Sequence, residues 1–127
     1  MALTLTNDLR DDIADQIDTS MGTACELRFE TSGDAEVATI TCQNPAFGPS
    51  SAGVITMAGL TLSDTSATGG TIAQFSMFDT TPSPDEKQLE GTVTGISGGG
   101  DIEITSLVIV NTEQVDLTTF TITVPAS

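Results

Sequence analysis

The sequence has no histidine, no tryptophan and no tyrosine, and only three of its 127 residues are basic, Arg10, Arg28 and Lys87. Each gap removes a class of chemistry. Without histidine the chain lacks the commonest general base, the usual nitrogen ligand of zinc and the middle member of a serine-hydrolase triad. Three cations against 18 acidic residues give a net charge of −15. Too few basic side chains are present to neutralise phosphates, so nucleic acid is not expected as a partner. No apolar run approaches the roughly 20 residues of a membrane span. The opening "MALTLTNDLRDD" has neither the basic start nor the apolar centre of a secretory signal, so synthesis in the cytoplasm and reduced thiols are expected. A charge of this size exceeds the magnitude of about 2–8 that suits a small soluble domain. It fits either a salty medium that screens repulsion or a basic partner.

What is present is β-forming. The two cysteines bracket "CELRFETSGDAEVATITC", where a Thr-Ser-Gly-Asp turn separates two runs of β-branched and apolar residues. Centred on Gly33 and Asp34, the hairpin register sets Cys25 opposite Cys42, Leu27 opposite Ile40 and Phe29 opposite Ala38, all on one buried face. Glu26, Arg28, Glu30, Thr39, Thr41 and Val37 fall on the other. Cys25 and Cys42 are therefore expected side by side as thiols, without metal or catalysis. Two cysteines without histidine do not complete a zinc site, and Arg28, the one nearby cation, points to the other face.

Upstream, residues 6–21 read as a helix. Thr6 or Asn7 is the N-cap, Asp8 lies in the first turn and Gly22 is at the C-terminal cap position. Leu9, Ile13 and Ile17, joined by Ala14 and Met21, make one apolar stripe, with Asp8, Asp11, Asp12, Asp15 and Asp18 on the other side. A helix this short is marginal alone and must dock, on its own domain or on a partner. Residues 43–53, with two prolines and two glycines, read as a structured loop whose Phe47 plugs the end of the core. Strands are expected over residues 53–62, 71–79 (with Ala73, Phe75 and Met77 on one side), 87–95, 101–110 and 115–125. Between Leu117 and Phe120 the inward parity changes, so a bulge or bend is expected near Thr118 and Thr119. Seven or so strands separated by Gly, Pro and Ser turns define an all-β chain, a β-sandwich or jelly-roll-like barrel preceded by a short N-terminal helix. Residues 1–22 form the helical arm and residues 23–127 the β-sandwich domain.

The remaining chemistry is carboxylate chemistry. Nothing pairs two carboxylates as a glycosidase needs. "GISGGGD" lacks the lysine of a phosphate loop and reads as a turn. Asp79, Asp85 and Glu86, or Asp64 near Asp101, offer oxygen ligands to calcium, but without EF-hand spacing they read as solvated loops. No cofactor, metal or catalytic residue is assigned, and the chain is read as a non-enzyme.

Five segments, "LTLTNDLRDDIADQID", "NPAFGPSSAGVITMAGLTLSD", "ATGGTIAQFSMFD", "GTVTGISGGGDIEITS" and "VDLTTFTITVPA", resemble a group of small tailed-bacteriophage virion proteins. The resemblance covers most of the chain and its motifs are structural, so it carries over no catalytic or ligand residues. It implies a helix-led β-sandwich on the outer surface of the head. There it acts as a decoration (cement) protein that bridges and stabilises major capsid protein subunits, with homotrimers the natural assembly at threefold positions of the lattice. Leu9, Ile13, Ile17 and Phe47 are the expected partner contacts. The alternative is a tail, neck or fibre module that binds a receptor or glycan. A third option, a secreted adhesin domain with a Cys25–Cys42 bridge, requires a signal peptide on its parent chain.

Overall fold

A computed structural model describes residues 2–127. The chain is mostly β, with one N-terminal helix and strands curled into a half-barrel, in agreement with the all-β class expected. The helix α1 (Asn7–Ser20) starts at Thr6, whose side-chain oxygen accepts from the Leu9 N–H at 3.3 Å, and stops at Met21. Gly22 then turns the chain with φ +68, where a Cβ would strike the Asp79 carboxylate.

Strands β1 (Cys25–Glu30) and β2 (Glu36–Thr41) form the expected hairpin, with Leu27 opposite Ile40 and Phe29 opposite Ala38. The Cys42 N–H donates to the Cys25 carbonyl at 3.0 Å, which closes the ladder between the two cysteines. Leu27, Phe29 and Ile40 are fully buried, each stabilising by roughly 1.5–3 kcal/mol as an upper figure. The outer face departs from expectation. The register shifts after Phe29 and sets Glu30 opposite Glu36. Glu30 is buried and accepts from the Ser76 hydroxyl at 2.6 Å. Val37 is buried as well, because residues 67–70 fold across it and the Gly69 N–H donates to its carbonyl.

The strands β6 (Gln74–Asp79), β7 (Glu86–Gly95) and β8 (Ile102–Ile104) extend this sheet in the order β2-β1-β6-β7-β8. β8 runs parallel to β7. The glycine turn between them is tight because Thr94 sits inside it, accepting from the Gly100 N–H at 3.0 Å and leaving no room for a Cβ at Gly98 or Gly100. Three two-stranded ladders complete the curl: β3 (Val54–Thr56) with β11 (Thr121–Thr123), β4 (Leu62–Asp64) with β10 (Val115–Leu117), and β5 (Gly70–Thr71) with β9 (Val108–Ile109).

Two strands expected as continuous are each broken. Residues 53–62 divide into β3 and the start of β4 because Gly59 takes φ +76 against the Gln43 side chain. Residues 101–110 divide into β8 and β9 where the Ser106 hydroxyl donates to the Val108 carbonyl at 3.0 Å, a local bond that competes with the ladder. Ala73 is exposed and does not share the buried side of Phe75 and Met77, since β6 begins only at Gln74 and Ile72 takes the buried place. The change of parity near Thr118 and Thr119 is a bend at which the chain changes partner strand, from β4 to β3. Val115 and Leu117 before it, and Phe120 and Val124 after it, all point into the core.

Gly53 is where α1, β3 and the end of β11 meet. Its N–H donates to Asp11 at 2.6 Å and its carbonyl accepts from the Val124 N–H at 2.8 Å. At φ +79 an added Cβ would lie 2.8 Å from the Arg10 guanidinium nitrogen and 2.9 Å from the Val124 carbonyl oxygen. Gly53→Ala is therefore expected to cost about 1–3 kcal/mol, read as a lower midpoint in urea. An unchanged midpoint would contradict this geometry.

Candidate functional site: helix stripe and open seam

Helix α1 docks on its own domain through one edge of the expected stripe, Ala14, Met21 and part of Ile17, joined by polar residues assigned to the solvent side. Ala14 (0% exposed) and Met21 are buried, and Ile17 packs partly against the core. Around them the contact is polar. Asp18 accepts from the Phe47 N–H at 2.9 Å, Asp11 accepts from the Gly53 N–H, and the Arg10 guanidinium donates to the Val124 carbonyl at 2.8 Å. Two of the five aspartates assigned to the solvent side therefore satisfy backbone N–H groups of the loop at residues 46–53. The signal was present: Asp11 and Asp18 are seven apart, on the same face as Ala14.

This orientation turns part of the apolar stripe outward. Leu9 is 46% exposed and Ile13 38%, and Asp8, Asp12 and Asp15 run along their solvent side. Phe47 is 1% exposed and packs on Phe120 with ring centroids 6.1 Å apart. It plugs the core as expected, but as a partner contact it is corrected, since its ring lies inside the domain.

Ile13 and Ile17 form one wall of a groove of about 470 Å³ whose other wall is Leu89 of β7. The groove continues. Leu89 also lines a cavity of about 340 Å³ against Phe75 and Ile122. Asp101 and Phe120 lead from there into one of about 240 Å³ beside Ile102, and Glu103 into a further 340 Å³ between Ile104, Ile109 and Asp116. These cavities form a seam along the open side of the half-barrel, between β7–β8 and β10–β11. Its lining includes Glu90, Asp101, Glu103, Glu113 and Asp116 and no basic side chain. The Asp116 carboxylate is held below its ordinary range by hydrogen bonds from the Ser63 hydroxyl and the Gln114 amide.

All three cations are engaged within the molecule. Arg28 pairs with Glu26 at 2.7 Å and Asp85 at 2.6 Å and lies 4.2 Å from the Phe78 ring centre. Lys87 pairs with Glu90 at 3.1 Å, and Arg10 is held by Val124 and Asn7. The candidate calcium residues are dispersed among local partners. Asp79 accepts from Thr81, Asp64 from the Thr39 and Ser66 N–H groups, and Asp101 from Thr92. Among the described residues no three His, Cys, Asp or Glu side chains group as a metal site.

Cys25 and Cys42 are free thiols, the first buried and the second half-buried. Hydrogen bonding to Cys42 and burial push the Cys25 thiol up. Cys42 is lowered from 9.0 by the Cys25 hydrogen bond, against the opposing effect of burial and with help from the Leu27 backbone N–H. The two thiols differ in access, Cys25 being enclosed and Cys42 reachable from one side.

Comparison with family models, curated proteins and solved structures finds no match to this chain.

Iodoacetamide should therefore label half-buried Cys42 first in the folded protein and should reach buried Cys25 only on unfolding. Peptide mapping after partial labelling tests this, and equal labelling of both thiols would contradict it.

Proposed function

We propose that the protein is a non-enzymatic structural component of a tailed-phage virion. It decorates the outside of the head, in many copies and as trimers, and bridges major capsid protein subunits. The observation that carries this reading is the pair Leu9 and Ile13, exposed on a helix already fixed to its own domain through its other face. Such a stripe is held rigid in advance, so covering it costs little conformational entropy. Its border of Asp8, Asp12 and Asp15 favours a partner with basic residues beside an apolar patch. The resemblance of five segments to phage virion proteins supplies the setting.

The test mixes purified protein with expanded heads lacking it and follows binding and DNA retention on heating. Leu9→Ser combined with Ile13→Ser should leave thermal stability nearly unchanged, because both side chains are exposed. It should weaken attachment by roughly tenfold or more per residue, from about 1.5 kcal/mol of lost burial each. Wild-type binding to isolated tails or host cells, with none to heads, would transfer the case to a tail, neck or fibre module.

A further inference from the structure

The five-stranded sheet ends at β8, which has a hydrogen-bonded neighbour on one side only. Its free side faces the seam, where Ile104, Ile109 and Phe120 supply an apolar floor and cavities of about 240 and 340 Å³ adjoin it. Proteins commonly blunt such an edge with a charged side chain aimed across it. Glu103, the one charged residue of β8, is instead folded back on the preceding turn, accepting from the Ser97 N–H at 3.2 Å and the Gly99 N–H at 2.9 Å.

The charge of the seam selects the occupant. Asp101, Glu103, Glu113 and Asp116 accept only from neutral donors, namely backbone amides, hydroxyls and the Gln114 amide. No cation of this chain offsets them, since Arg10, Arg28 and Lys87 are bound elsewhere. A second copy would bring more carboxylates and no free basic strand.

We propose that the free edge of β8 takes up an extended segment of another protein as an added strand, with apolar side chains alternating with Lys or Arg. Backbone pairing to β8 supplies the affinity. The period-two alternation sends one set of side chains to the floor at Ile104 and Ile109 and the other toward the carboxylates. The β8 end of the seam contains no helix residue and Ile13 lines only the groove at the opposite end, so the inference stands or falls apart from head attachment.

The probe is a ten-residue peptide of alternating valine and lysine, titrated into the isotopically labelled full-length protein and followed by amide spectra. The expected result is saturable binding, with shifts centred on the Ile102–Ser106 amides. The same peptide with glutamate in place of lysine should bind at least tenfold more weakly, and so should a valine–lysine peptide N-methylated along the edge that would pair. Asp116→Asn should weaken the lysine peptide while leaving the rest of the spectrum in place. Four results would overturn the proposal: no saturable binding, shifts scattered over the acidic surface, equal affinity for the glutamate peptide, or equal affinity for the N-methylated one.

Discussion

The arrangement of this molecule depends on aspartate carboxylates of α1 that accept from backbone N–H groups of an irregular loop. Residues 43–53 are too rich in Pro and Gly to form a strand, and a buried loop with unpaired amides is costly. Asp18 and Asp11 remove that cost at Phe47 and Gly53. A hydrogen bond to a charged group contributes about 1.5–3 kcal/mol, comparable to burying one large apolar side chain. The helix is therefore fixed by its polar residues as much as by Ala14 and Met21. Leu9 and Ile13 are released from docking and left at the surface.

The excess of acid has a similar consequence. With only three cations, each is engaged in a local contact: Arg10 ties the helix to the C-terminal segment, Arg28 clamps Glu26 and Asp85 over Phe78, and Lys87 meets Glu90. Lys87 offsets Glu90 at one end of the seam, and no basic side chain pairs with Asp8, Asp12 and Asp15 of the helix rim or with Asp101, Glu103, Glu113 and Asp116. Both surfaces combine apolar floors with carboxylate borders, and both therefore favour a basic-edged partner over a second copy of the same chain.

Much of the fold was legible in the sequence because it obeys short-range rules. The hairpin register followed from period-two alternation, and the helix limits from Thr6 and Gly22. The bend at Thr118–Thr119 followed from a parity that no straight strand could keep. What was not legible depends on contacts distant in sequence. The stripe Leu9–Ile13–Ile17 reads as the docking face by hydropathy alone, and only the position of the loop amides at Phe47 and Gly53 shows that Asp11 and Asp18 dock beside Ile17 while Leu9 and Ile13 do not. Glu30 and Val37 read as surface residues, but Ser76 and residues 67–70 cover them. The seam had no sequence signature, since it arises from strands that stop pairing rather than from any motif.

The central claim is the rotational setting of α1, with Leu9 and Ile13 to solvent and Ala14, Met21, Asp11 and Asp18 to the domain. A soluble paramagnetic agent added to methyl-labelled protein measures this directly. The account predicts strong broadening of the Leu9 and Ile13 methyls and little at Ala14 and Met21. Protected Leu9 and Ile13 beside broadened Ala14 and Met21 would mean that the helix docks by its stripe, and would contradict the account.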